Sequence, residues 1–89
     1  MELTREFFVR NGFTSMYPEG TAGYQTAFYL RGGDSGEGWK VVVDLMLPKA
    51  SYVRNTPANR EYDGPIKTLE ELKLALILCQ IPLKIKTEE

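Results

Sequence analysis

Histidine is absent from the chain, and no other feature of the sequence removes as much chemistry at once. Without it there is no usual general base for neutral pH, no usual metal ligand, and no Ser-His or Cys-His nucleophile pair. Cys79 is the only cysteine. A zinc site needs several Cys or His ligands, and no internal disulfide can form. Carboxylates and lysines can work without histidine, but here the acids are scattered through loops and helix ends at no spacing that enforces a pair. The sequence therefore reads as that of a non-enzyme, with no catalytic residue, no metal ligand set and no cofactor.

Two further features invite a chemical reading, and each has a plainer one. The glycine-dense stretch Arg31–Gly38 has the composition of a phosphate cradle, yet such a loop runs into a helix N-terminus and usually carries a lysine. This one runs into a strand and has no Lys-Ser or Lys-Thr, so a flexible hairpin connection is the better expectation. Asp34 and Glu37 within it are oxygen donors, but their spacing is not that of a calcium loop. Cys79 falls on the same helical stripe as Leu69, Leu72 and Leu76, and a buried cysteine behaves as a small hydrophobe. No cationic neighbour in the sequence stabilises its thiolate, so a core role is expected and not reactivity.

The elements that hold these residues have to come from one domain, because 89 residues are too few for two. A hydrophobic content of 43% with 26% charged residues is that of a globular chain, not a disordered one. The net charge of −1, with both signs mixed, argues against a chain whose whole surface grips nucleic acid and against an acidic mimic of it. Met1-Glu2-Leu3-Thr4-Arg5 has neither the basic start nor the apolar run of a secretion signal. The longest apolar stretch, Leu74 to Cys79, is too short to span a bilayer. A cytoplasmic location with no membrane partner is the expectation.

Leu3 to Phe13 reads as a short helix with both ends marked: Thr4 as N-cap, Glu6 in the first turn, Leu3 and Phe8 as a hydrophobic staple, and Gly12 as the stop. Residues 14–23 are turn-rich. Tyr24 to Leu30 has the composition of a strand, and Trp39 to Leu47 is the strongest one. Its odd positions Trp39, Val41, Val43, Leu45 and Leu47 are all apolar, as one buried face requires. Residues 50–54 offer a third strand, and 55–65 read as a polar loop. Thr68-Leu69-Glu70-Glu71 is a capping box opening a helix that runs to about Cys79, before Pro82. Leu83-Lys84-Ile85-Lys86 alternates and is a candidate edge strand. The expected fold is α+β, in the order α-β-β-β-α-β: a small antiparallel sheet of three to four strands with both helices on one face.

Two surfaces stand above this background as candidate partner-binding sites. Over residues 49–60, Lys49, Arg54 and Arg60 are interleaved with Tyr52 and no acid intervenes. Such a segment can follow a phosphate backbone, dock on an acidic protein, or be a solvated edge, and Glu61 and Asp63 directly after it dilute the field. On the C-terminal helix, Leu69, Leu72, Ala75, Leu76 and Cys79 share one arc. Leu74, Ile77 and Leu78 fall largely opposite. A helix apolar all round is covered on more than one side, either by the rest of this chain or by another chain.

The two ends of the sequence together carry a resemblance. Leu3-Thr4-x-Glu6-Phe7 running to Asn11-Gly12-Phe13, with Ile66-Lys67-Thr68-Leu69-Glu70-Glu71-Leu72-Lys73 and Leu76-x-Leu78-Cys79-x-Ile81, resembles small phage and mobile-element accessory proteins of Bacteroidetes-type bacteria. Those proteins open with Leu-Thr-x-Glu and close with an Ile-Lys-x-Val-His-Glu-Leu-Gln-like helix. Here Glu70 stands for the histidine and Lys73 for the glutamine, so no role of those side chains carries over. The match covers about a third of the chain, mostly helix-entry and core positions. It implies a shared fold and a context, with no activity attached. In that context the expected function is stoichiometric binding of a host protein or ribonucleoprotein complex in the cytoplasm of a host bacterial cell, with inhibition of a bacterial defence system, in the manner of an anti-CRISPR protein, as its sharpest form. The alternatives are direct but weak nucleic-acid binding through residues 49–60, and a homo-oligomeric structural protein, in the simplest case a homodimer, joined through the second stripe of the helix.

Overall fold

Two threonines set where the helices begin. In a computed structural model, which describes residues 3–34 and 37–86, the Thr4 hydroxyl accepts a hydrogen bond from the Phe7 amide at 3.2 Å and opens α1 (Arg5–Arg10). Leu3 and Phe8, on either side of this cap, are both buried, as a hydrophobic staple requires. The helix closes with Gly12 at φ +87°. The amides of Gly12 and Phe13 reach back to the carbonyls of Val9 and Phe8 at 3.0 and 2.9 Å, the paired bonds of a Schellman end. That end swings the Phe13 ring onto Phe8, centroid to centroid at 5.1 Å.

The helix α2 (Leu69–Leu78) opens with the expected capping box: Glu71 N–H donates to the Thr68 hydroxyl at 3.2 Å, and Thr68 N–H donates to the Glu71 carboxylate at 3.1 Å. The Lys67 amide donates to the same carboxylate at 2.6 Å, and this bond above all holds Glu71 below the usual glutamate range. At the other end Gln80 takes the left-handed conformation at φ +58°. Its amide and that of Ile81 bond to the carbonyls of Ile77 and Leu76 at 3.1 and 2.9 Å. This is the same termination as in α1, made without glycine.

The sheet has five antiparallel strands in chain order: β1 (Thr14–Ser15), β2 (Ala27–Asp34), β3 (Glu37–Asp44), β4 (Tyr52–Asn55) and β5 (Arg60–Asp63). The chain is thus a small α+β domain, with one or two strands more than the sequence suggests. The additions are β1, inside the turn-rich stretch, and β5, inside the stretch read as a polar loop. Tyr24 and Gln25 belong to a 3-10 turn and not to the second strand, whose ladder instead extends through Gly32 and Gly33 to Asp34 opposite Glu37. The glycine-rich stretch is therefore mostly paired strand. A Cβ on Gly32 would collide with the indole of Trp39, its cross-strand partner, so glycine here makes room for a large ring. The side chains of Asp34 and Glu37, on which the calcium reading rests, lie outside the described residues, as do Met1 and Glu2.

Two further expectations are corrected. The alternation runs through Leu45, which packs against the core, and stops there, because the Asp44 carboxylate accepts the Met46 and Leu47 amides at 3.0 and 2.9 Å and turns the chain. Leu47, expected on the buried face, is 66% exposed and Met46 63%. Residues 83–86 form no strand. They are held differently: the Asn11 side chain donates to the Lys86 carbonyl at 3.0 Å and accepts from the Lys86 amide at 2.6 Å, while Leu83 and Ile85 pack on the core.

The core lies on one face of the sheet. Val41, Val43, Phe28 and Val53 meet Phe7 and Phe8 from α1 and Leu69, Leu72, Ala75, Leu76 and Cys79 from α2 in one buried cluster. Phe8 stacks on Phe28 at 4.6 Å with 14° between the planes, and Phe28 is the register partner of Val43. Val43→Asp places an unpaired carboxylate at the centre of this cluster, at a cost on the order of several kcal/mol. Loss of the cooperative melt is expected, and a melt near the wild-type temperature would contradict the burial of β3. Gln80→Gly relieves the left-handed strain and is expected to raise stability by up to about 1 kcal/mol. An unchanged or lower chemical-denaturation midpoint would show that the Gln80 side chain contributes more than its backbone conformation costs.

Candidate functional site

The capping box and the core stripe leave α2 no freedom to rotate, and this decides the fate of its second apolar stripe. Leu69, Leu72, Ala75 and Leu76 face inward. Leu74, Ile77 and Leu78 are 52%, 72% and 47% exposed. Among the described residues, neither α1 nor the segment that follows α2 covers them. Ile77 also stands on the rim of a groove of about 230 Å³ between α2 and the segment that follows it, lined by Lys73, Leu76, Ile81, Leu83 and Ile85. The outer stripe and this groove form one apolar surface with Lys73 at its side. Exposed apolar residues grouped in this way mark interaction surfaces more often than scattered ones do.

The basic segment does not form one surface. Lys49 sits exposed in a 3-10 turn, Pro48–Ala50. Tyr52 and Arg54 alternate with the buried Val53 and so point away from the core. Arg60 begins β5 opposite Asn55, in a polar depression of about 240 Å³ shared with Arg54, Asn59 and Glu61. Arg54 is held by two carboxylates, Nε to Glu61 at 3.4 Å and Nη2 to Asp63 at 3.0 Å, and its guanidinium lies 4.6 Å from the Tyr52 ring centroid. Of the four residues, Tyr52 and Arg54 are stacked and Arg60 shares a depression with Arg54, whereas Lys49 stands apart.

It joins them instead to residues that sequence reasoning missed. On the sheet face away from both helices, Tyr29, Val42 and Tyr52 lie side by side across three strands, and Arg31, Lys40 and Arg54 form the next row. Val42 is buried but stands outside the core cluster, with a half-buried tyrosine on each side. The Lys40 and Arg31 cations lie 5.7 and 5.9 Å from the Tyr29 centroid. The signal was available in the even positions of the same alternation whose odd positions define the core. A second surface without a signal in the sequence combines Tyr17 with Met46 and Leu47 around a depression of about 330 Å³.

Cys79 is fully buried, its thiol 3.8 Å from the Val53 carbonyl. Burial pushes the thiol pKa up, against the opposing charges of Arg54 and Arg60. Such a thiol is a packing group. Cys79→Ala is expected to cost about 1 kcal/mol or more in stability while leaving partner binding intact, and native protein should react with a thiol reagent far more slowly than unfolded protein. Rapid labelling of the native state, or a folded variant that no longer binds, would contradict the packing role.

Among the described residues no group of three or more Cys, Asp or Glu side chains is placed to hold a metal ion, and no helix is long and apolar enough to cross a membrane. Comparison with protein-family models, with curated proteins and with solved structures finds no match to the chain.

Proposed function

We propose that this chain is a non-catalytic binding domain that docks the outer stripe of α2 onto another protein. The observation that carries this reading is the exposure of Leu74, Ile77 and Leu78 on a helix whose opposite stripe is wholly buried. Each such side chain is worth about 1.5–3 kcal/mol when fully buried, so three together supply the apolar centre that a protein interface needs, with Lys73 and Glu70 at its polar rim. The lack of histidine and of a carboxylate pair in the sequence supports binding over catalysis. In the context that the resemblance implies, the partner is a host protein or ribonucleoprotein complex of a bacterium, with a defence complex as the specific case. A second copy of the chain is the alternative occupant.

The test compares Ile77→Lys with Leu72→Lys. An exposed substitution stays within about 0.5 kcal/mol, whereas a buried unpaired lysine costs several. Ile77→Lys is expected to keep the wild-type melting temperature and lose a partner that wild-type protein retains on affinity purification from a bacterial host. Leu72→Lys is expected to unfold. Sedimentation of the purified protein separates the self-associating case, in which Ile77→Lys shifts a dimer to monomer. Unfolding of Ile77→Lys as severe as that of Leu72→Lys, or recovery of the same partners by both wild type and Ile77→Lys, would contradict the proposal.

A further inference from the structure

The helix-free face of the sheet gathers charged and aromatic side chains far from the outer stripe of α2. Its outer row places Arg31, Lys40 and Arg54 directly opposite one another on three adjacent strands. Like charges in that position destabilise a sheet, and adjacent strands are only about 4.8 Å apart. Glu61 and Asp63 compensate Arg54. Among the described residues no carboxylate lies within ion-pair distance of Arg31 or Lys40, so this row holds positive charge that an external anion would relieve. The anion has a place to sit. Beyond the row, Gly33 and Gly38 face each other without side chains, and a depression of about 200 Å³ opens there beside Arg31, Lys40, Arg54 and Thr56.

The row on the other side of the cations is aromatic. Tyr29 and Tyr52 flank Val42, two strand spacings or roughly 10 Å apart. Cations that follow a phosphate backbone beside aromatic rings that stack bases are the two components of a single-strand surface. A duplex, with its bases already stacked, could use only the first. We infer that this face binds single-stranded nucleic acid. Phosphate draws Arg31 and Lys40 away from the Tyr29 ring that they now approach, and a base stacks on Tyr29 in their place. A second base reaches Tyr52 beside the Arg54 guanidinium that lies over it. An acidic protein would meet the same charges but would make little use of the paired rings.

The experiment is fluorescence anisotropy with labelled oligo(dT) and oligo(U) of roughly ten nucleotides, alongside a DNA duplex and polyglutamate, over a range of salt. Binding of one or both single strands with a Kd of roughly 10⁻⁴ to 10⁻⁶ M at low salt is expected, and the log–log salt slope should be about −1.4 for two phosphates. Arg31→Gln with Lys40→Gln should bring that slope close to zero. Tyr29→Leu or Tyr52→Leu should weaken binding roughly tenfold, while the corresponding Phe variants retain it. Ile77→Lys should leave it unchanged, which separates this surface from the one on α2. The glutamine pair replaces only surface charges, so the test stays decisive even where a leucine variant fails to fold. Binding weaker than roughly 1 mM, or indifference to both the tyrosine and the glutamine changes, would overturn the inference. Polyglutamate or duplex binding as tight as single-strand binding would overturn it as well, pointing to an acidic protein or to charge alone.

Discussion

The Asn55 side chain joins the sheet to the C-terminal end of α2, and the arrangement of both exposed surfaces follows from that attachment. The last carbonyls of a helix have no partner within it. Here the buried Asn55 amide donates to the carbonyls of Cys79 and Gln80 at 2.8 and 3.2 Å. The capping box fixes the first turn, Asn55 fixes the last, and the bonds to Leu76 and Ile77 redirect the chain beyond. With both ends fixed, the helix has one rotational setting, in which Leu72 and Cys79 point at the sheet and Ile77 away from it. An analogous amide, Asn11, ties the final described residues to α1 through Lys86. A small core closed by two buried amides has little tolerance for a rotated helix, because rotation would leave each amide and its carbonyls unpaired.

Both helices contribute to one core on one side of the sheet, and among the described residues no element covers the other side. The chain resolves this by letting the outer face cover itself. Tyr29 and Tyr52 shelter Val42 in place of a helix, and the cations beside them are held by the rings and, for Arg54, by two carboxylates. Among the described residues the outer stripe of α2 has no such cover. The two surfaces therefore differ in kind: one is apolar, the other aromatic and cationic, with carboxylates paired to one of its three cations, Arg54. That difference is the physical basis for assigning them different partners.

The features legible in the sequence are those set by local chemistry or by a strong period. Both N-caps, the division of α2 into an inner and an outer stripe, and the core positions of β3 up to Val43 are of this type. The features that were not legible depend on pairing between distant segments. β5, Arg60–Asp63, is three-quarters charged and shows no strand composition, yet it pairs with β4 along its whole length; one of its faces is open and it lies at the edge of the sheet. Two-residue β1 carries too few positions for any period to register. The alternation holds at Leu45, which packs against the core, but Leu47 falls beyond a turn that one carboxylate, Asp44, imposes. The glycines at 32 and 33 look like a loop until their neighbour across the ladder, Trp39, is known. For the same reason the basic segment at 49–60 reads as continuous along the chain, although the fold divides it and joins half of it to Tyr29, Arg31 and Lys40.

The outer stripe of α2 is solvent-exposed in the isolated protein, and the proposed function requires another protein to cover it. The most direct measurement is the relaxation of methyl groups by a soluble paramagnetic probe, in dilute protein and again with saturating purified partner. Strong relaxation is expected at Leu74, Ile77 and Leu78 in the free protein, weak relaxation at Leu72 and Leu76, and protection of the first three on binding. Protection of those methyls in the isolated monomer, or their continued exposure in the complex, would contradict the proposal.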